Sequence, residues 1–516
     1  MLRFPVTASD TERKIPLVIS IFIAGLCSII YELLIGTVSS YFLGNSVTQF
    51  SLTIGVYMAA LGVGAWLSRL VKTSLPVFFV KLEILLGFLG GISVPCLFFC
   101  YSVAPQIYIF VMVLFTFSIG VLIGYEIPLL TRLLESFYDL KVNISKVLSM
   151  DYLGALIATL LFPFVLLPLI GPFRSSLVVG LINMLIGFLI LRSFYEHFED
   201  SARRRYVRIS FGVVGLLSCG LLFSQTLIHT WSQSLYDDYI IVEEQTAYQR
   251  MVLTSREGDF RLFLDGNLQF SSKDEYRYHE ALAFPVASAA ERAQKLLVLG
   301  GGDGLLVKQL LRLGKHVEIT LVDLDPAVTR LARENPLLAG LNENALLSDQ
   351  VQIIHDDAFR FLSETQETWD VIYADLPDPN NLELTRLYSQ EFFNLVHSRL
   401  YWNGYFVTQA TSPYYANTTY WQIVQTLEDS RFSHLLPYHV NVPSFGEWGF
   451  VIAGNQTICH DPQRFPEKLK FMNASTWKRM QIFPPDITCP DVELESNTLN
   501  HPVLLGSYLK SVKDWR

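Results

Sequence analysis

Asp375 and Asp378, three apart in DVIYADLPDPN (370 to 380), are the residues whose type and spacing most invite chemistry. Val371, Ile372 and Tyr373 before them read as the end of a buried strand. Charge beside a core is costly unless it meets a partner. One carboxylate placed there can take a proton from an attacking group, and a second can grip a cation. Taken alone, DxxD is equally a polar loop with a Pro turn, so the neighbouring segments must decide.

Upstream, KLLVLGGGDGLLVKQLLRLG (295 to 314) is an apolar strand, a glycine run with Asp303, and a helix. Glycines at such a junction permit a sharp turn and close backbone approach by a ligand. A second strand, VEITLVDLDP, ends in Asp323 and Asp325, where a carboxylate suits ribose hydroxyls. VQIIHDDAFRFL, WDVIYADLPDP and a helix leading into YFVTQA continue the alternation. The pattern predicts an open parallel sheet with acids and glycines at the strand C-terminal ends, the edge where such sheets bind ligands. There is no GxxxxGK[ST], and GGGDG lacks the GxGxxG spacing. P-loop chemistry is therefore set aside and NAD is secondary; the acids fit binders of adenosyl sulfonium compounds.

Tyr248-Gln249, LDGNLQ, DEYRYHE, GGGDG, VDLD, DDA and DLPDP, in that order over about 235 to 455, resemble the spermidine synthase family of polyamine aminopropyltransferases in its membrane-anchored form. The resemblance implies transfer of an aminopropyl group from decarboxylated S-adenosylmethionine to putrescine, yielding spermidine and methylthioadenosine, with no metal. It implies cofactor contacts from Gln249, Gln269, Gly300, Gly302, Asp303, Asp323 and Asp357. Tyr278, His279, Glu280 and Asp378 would line the polyamine side, and Asp375 would be the base. The family's Gly-Pro after DLPDP is replaced by NNLELTRLYS, and a late-loop Tyr by Phe445, with Tyr388, Tyr414 or Tyr415 as alternative hydroxyls. The rivals are a small-molecule methyltransferase using S-adenosylmethionine, whose carboxylate Asp303 would repel, and a non-catalytic membrane transporter or scaffold. Asp325 and Asp356 read as helix caps, and Trp402 and Trp448 as core.

The surrounding elements divide in two. The chain of 516 residues is 51% hydrophobic, with a mean hydropathy of +0.33, and the apolar excess lies in the first half. Seven windows, 16–39, 49–68, 76–98, 104–131, 149–170, 174–192 and 208–227, are long enough to span a bilayer. Gly62 and Gly64 suit close helix approach. Glu32 and Glu126 lie deep in these windows, with Glu83 and Asp151 nearer the start of theirs; Glu32 and Glu126 suggest transport or ligand entry, or pairing with Arg132. The expected architecture is a multi-span helical membrane domain (1–228), a small β-region (229–288), an α/β Rossmann-like catalytic domain of the S-adenosylmethionine methyltransferase type (289–460) and a C-terminal extension (461–516) packed on it without chemical function. Lys and Arg from Arg3 through Arg132 to Arg208 flank one side of a seven-span arrangement. The positive-inside rule then puts the catalytic half outside, whereas one span fewer reverses it. The net charge of −9 gives no reason to expect nucleic acid. The expected partners are a polyamine and the bilayer, with a homodimer compatible. Six scattered Cys, including Cys459, suggest neither a disulfide framework nor a zinc site.

Overall fold

A computed structural model describes residues 10–514 apart from 45, 73, 247 and 459–463; Arg3 and Cys459 lie outside the described residues. Two compact units meet at Asp237/Asp238 in the sequence.

In the first unit, helices Asp10–Leu43, Ser46–Ser68, Leu75–Val103, Tyr108–Leu134, Leu140–Leu161, Leu167–Ser193 and Asp200–Leu222 follow one another. Among the described residues, six helical stretches are long and apolar enough to cross a membrane. The windows 149–170 and 174–192 share one of them, the 54-residue run Leu140–Ser193, which breaks at Gly171 (φ 74°, ψ 168°) before Pro172. The last window is cut short at Leu222, and a separate helix, Ser224–Gln233, follows. Large apolar side chains such as Phe164 and Leu222 stand 75% and 82% exposed, as side chains facing lipid would be. This half is membrane-embedded.

Close packing comes from Gly64, where an added Cβ would lie 2.1 Å from Val121 O and 2.9 Å from Gly124 Cα. Gly62 faces open space instead, because two residues along a helix turn the side chain by about 200°. Glu83, expected near a span end, is wholly buried and accepts from Asn183 Nδ2 at 3.0 Å. Tyr31 in turn donates to Asn183 Oδ1 at 3.1 Å. Arg132 does not pair with these acids: its guanidinium donates to Ser68 O and Val71 O, both at 3.2 Å.

The second unit opens with an antiparallel sheet of β1 (Tyr239–Gln245), β2 (Arg250–Arg256), β3 (Asp259–Leu264) and β4 (Asn267–Ser271) in sequence order. The segment 239–252 folds back on itself because Thr246 Oγ1 accepts from the amides of Tyr248 and Gln249, each at 3.0 Å. The turns at Glu257-Gly258 and Asp265-Gly266 carry positive φ at both residues, matching the twist of tight hairpins.

A seven-stranded sheet follows: β5 (Lys295–Gly300), β6 (Glu318–Asp323), β7 (Val351–His355), β8 (Trp369–Asp375), β9 (Leu400–Gln409), β10 (His434–Val442) and β11 (Gly446–Gly454). Its order is β10-β11-β9-β8-β5-β6-β7, with the first five strands in sequence mutually parallel and the β10–β11 hairpin antiparallel at the edge. Alternation along β5 and β8 feeds two cores: Leu296, Val298, Val371 and Tyr373 on one face, Leu297, Leu299, Ile372 and Ala374 on the other. Burial on both faces is why these strands read as unbroken apolar runs. Trp402 is 73% exposed rather than core. Trp448 is partly covered, its ring tilted against Phe445 with centroids 5.2 Å apart.

Candidate active site

The chain runs β5, β6, β7 to one side of the sheet and then returns to place β8 and β9 on the other. The loops after β5 and β8 therefore part company between adjacent strands, the crevice where open α/β sheets take ligands. Gly300 sits opposite Asp375 in register. A Cβ on Gly300 (φ 80°) would lie 2.2 Å from Asp375 O, and one on Gly301 (φ 69°) 3.0 Å from Asp375 Oδ2. Only glycine lets the GGGDG loop pass so close to the strand-end acid. Gly302 N donates to Asp323 Oδ2 at 2.9 Å, and Asp325 N to Asp323 Oδ1 at 2.9 Å. Asp303 Oδ1 accepts from Leu305 N at 2.9 Å, at the start of helix Leu305–Leu311.

Helix Glu275–Ala289 supplies the wall facing Asp375. The Tyr278 hydroxyl donates to Asp375 Oδ1 at 2.7 Å, and its ring packs against Phe450 and Phe445. His279 is 2% exposed. Its Nδ1 meets Glu275 O at 2.8 Å and Oε2 at 3.0 Å, while Lys308 Nζ donates to Glu275 Oε1 at 2.7 Å. Burial opposes ionisation of Glu275, yet its bonds to His279 and Lys308 pull it down to about 2. Burial alone would lower His279, but Glu275, Asp303 and Asp375 raise it overall. The ring thus lies among three carboxylates, Glu275, Asp303 and Asp375, that favour its charged form against burial.

The four strand-end acids answer to burial first. Asp303 rises to about 6, with neighbouring Asp375 pushing it up and His279 pulling it down. Asp323 rises to about 6 despite its two amide donors. Asp375 is raised by burial against the pull of His279 and Tyr278. Asp378 rises to about 6 although Tyr508 and Gln409 donate to it. Each keeps some solvent-accessible surface, and carboxylates crowded in this way are relieved by neighbouring cations.

The loop carrying Asp378 is held from three places. Gln409 Nε2, at the end of β9, donates to Leu376 O at 2.6 Å, and Tyr388 donates to Pro377 O at 2.9 Å. Tyr508, on the C-terminal helix Val503–Asp514, donates to Asp378 Oδ2 at 2.9 Å. The tail, expected to pack on the catalytic domain without chemical function, brings this hydroxyl to Asp378. Nothing in local spacing announces a contact across 130 residues. Gln409 was also missed, although the strand-end rule that found the acids applies to it.

Other expected residues lie elsewhere. Glu280 is wholly buried, with Lys470 N on Oε1 at 2.9 Å and Phe471 N and Met472 N on Oε2 at 2.8 and 2.9 Å. It anchors the C-terminal extension rather than lining the crevice beside Tyr278, because residues two apart on a helix face opposite ways. Gln249 Nε2 donates to Asp325 Oδ2 at 3.2 Å, next to Asp323. Gln269 Nε2 turns to Asn267 O at 3.1 Å on its own strand. Asp325 caps helix Pro326–Glu334. In the DDA segment the cap is Asp357, accepting from Arg360 N at 3.0 Å, whereas Asp356 binds Arg360 Nε. The second oxygen of Asp357 pairs with Arg386. Phe445 lies beside Tyr278, Tyr415 packs on Gly446, and the Tyr388 hydroxyl is engaged by the 376–378 loop. Among the described residues no three His, Cys, Asp or Glu side chains group to hold a metal ion.

Residues 275–461 match the spermine/spermidine synthase domain. The chain is 41% identical over 495 residues to a polyamine aminopropyltransferase of Leptospira interrogans, covering 95% of this chain and 97% of that one. It belongs to the polyamine aminopropyltransferase family. A second such enzyme, from Ralstonia nicotianae, is 40% identical over 507 residues, covering 97% of this chain and 98% of its own. Both matches run through the helical half, so this aminopropyltransferase shares its membrane-embedded half with them. A crystal structure of a spermidine synthase with the transition-state analogue AdoDATO aligns with a TM-score of 0.45 at 23% identity, over 48% of this chain and 86% of that one. This chain is an enzyme of that family, and the crevice between β5 and β8 is its candidate active site.

Proposed function

We propose that the enzyme transfers the aminopropyl group of decarboxylated S-adenosylmethionine to putrescine, with Asp375 as base. The observation that carries this reading is the fixed Asp375: Tyr278 occupies Oδ1 at 2.7 Å, and Oδ2 is turned toward the GGGDG loop. A primary ammonium titrates near 10 in water, so the acceptor amine must lose a proton before it can attack. A carboxylate whose proton affinity is raised by burial is the better acceptor for it. The amine nitrogen then bonds to the propyl carbon attached to the sulfonium sulfur, that carbon–sulfur bond breaks, and the electron pair leaves on sulfur as methylthioadenosine. The proton rests on Asp375.

In this reading Asp303 and Asp378 hold the ammonium charges that do not react, Asp323 takes the ribose hydroxyls, and Gly300 and Gly302 give the backbone room. Asp357 would meet the adenine amino group on releasing Arg386, and Gln249 and Gln269 would close over the cofactor from the small sheet. Tyr278 orients Asp375, and Tyr508 orients Asp378. His279 supplies compensating charge from beneath. We assign membrane anchoring to 1–228, the cofactor-covering β-region to 229–288, the sheet chemistry to 289–460, and support of the amine side to 461–516. Every group named comes from one chain.

The test is purified full-length enzyme with decarboxylated S-adenosylmethionine and putrescine, cadaverine, agmatine or spermidine, the products read by mass. Spermidine with equimolar methylthioadenosine from putrescine is expected, at a higher kcat/KM than with the other amines. A better acceptor among the others overturns the substrate assignment, and methyl transfer from S-adenosylmethionine without aminopropyl transfer overturns the reaction.

A further inference from the structure

A groove of about 240 Å³ opens where helix Leu167–Ser193 passes through a short turn into helix Asp200–Leu222. Arg192, Arg203, Arg204 and Arg208 line it together with apolar side chains that include Phe188 and Leu191, and no carboxylate lines it. Asp200 takes Arg203 at 2.8 Å, and its carbonyl accepts from Arg204 Nε at 3.2 Å. Among the described residues Arg208 has no acidic partner. Helix Asp200–Leu222 carries all its arginines in its first nine residues and thereafter exposes Phe211, Leu216 and Leu222 by 66%, 54% and 82%. Lys81 adds charge at the arginine end, 5.8 Å from the Tyr206 ring. Such a change from cationic to apolar along one membrane helix marks the boundary between headgroups and acyl chains.

We propose that this groove binds an anionic phospholipid, its phosphate on Arg204 and Arg208 and the start of an acyl chain along Phe188 and Leu191. The guanidinium fork matches phosphate oxygens in pairs, and basic pockets between membrane helices suit anionic headgroups. The apolar wall is what a free phosphate would leave unused. A zwitterionic lipid would bring its ammonium toward four guanidiniums.

The experiment titrates the full-length enzyme in zwitterionic detergent with short-chain phosphatidylglycerol, phosphatidylcholine or inorganic phosphate, with bound lipid counted by native mass spectrometry. Phosphatidylglycerol should bind at least about 10-fold more tightly than phosphatidylcholine. Arg204→Gln/Arg208→Gln should weaken it roughly 30-fold, at about fivefold for each charge removed, while Lys141→Gln/Lys146→Gln leaves it unchanged. Should the double variant fail to fold, Arg208→Gln alone should show the fivefold loss. Equal binding of the two lipids, unchanged affinity in the arginine variants, or phosphate competing as well as phosphatidylglycerol overturns the proposal.

Discussion

Replacing Asp303 by Asn should make the protein more stable and less active, and should do so in a pH-dependent way. Burial lifts Asp303 from an ordinary 3.8 to about 6, a native pKa above the unfolded one. Its contribution to stability is therefore fully present below about pH 4 and lost as pH rises through about 6. At pH 8 the ionised side chain costs about 3 kcal/mol, at 1.36 kcal/mol per unit. At pH 5 the cost is about half that. The figure is an upper bound, because Asp303 retains solvent contact and Asn strips His279 of a compensating charge. Asn can still accept from Leu305 N, so about 1–2 kcal/mol of net gain remains, or roughly 3–6 °C in melting temperature for a unit of this size. Thermal unfolding of detergent-purified protein, followed by tryptophan fluorescence at pH 8 and pH 5, reads this directly. Losing a charged partner for the cofactor's ammonium should lower kcat/KM by about 100-fold at pH 8. A variant melting at or below wild type at pH 8, or gaining equally at both pH values, would refute the account of Asp303 as costly buried charge.

Tyr508→Phe removes the donor at 2.9 Å from Asp378; it should raise the amine KM by about 5- to 20-fold with a smaller change in kcat, and a steady-state comparison of both parameters checks it. Glu280→Gln leaves one of three backbone amides at 470–472 poorly satisfied. It should lower stability by about 1–3 kcal/mol while the amine KM stays within about twofold, which sets it apart from a substrate-binding acid. Gly301→Ala places a Cβ 3.0 Å from Asp375 Oδ2 at φ 69°; activity should fall by about 100-fold or more, with a stability loss of only about 1–2 kcal/mol. Because burial holds Asp378 at about 6, the free enzyme's affinity for a cationic amine should weaken as pH falls through about 6, measurable by calorimetry from pH 8 to 5.5.

The parallel sheet and its acid-tipped edge were legible because both rest on local rules: strands buried on two faces must be apolar throughout, and glycine must stand where the backbone turns beside a ligand. That logic reached Gly300, Asp303, Asp323, Asp375 and Asp378 without any knowledge of contacts. The resemblance put Glu280 on the polyamine side, whereas it binds the amides at 470–472, and the local reading made Asp356 the helix cap that Asp357 provides, since cap geometry depends on where the strand stops. Membrane-length helices were equally plain, but only the backbone shows that two of the expected windows lie in one helical stretch that bends at Gly171 (φ 74°). Only the tertiary structure could show that Tyr508 reaches Asp378, that Glu275 joins buried His279 to Lys308, and that four arginines converge on one groove. Periodicity and turn chemistry act over a few residues and are written in the sequence. Charge compensation acts through space, and what compensates each carboxylate is decided when distant segments pack.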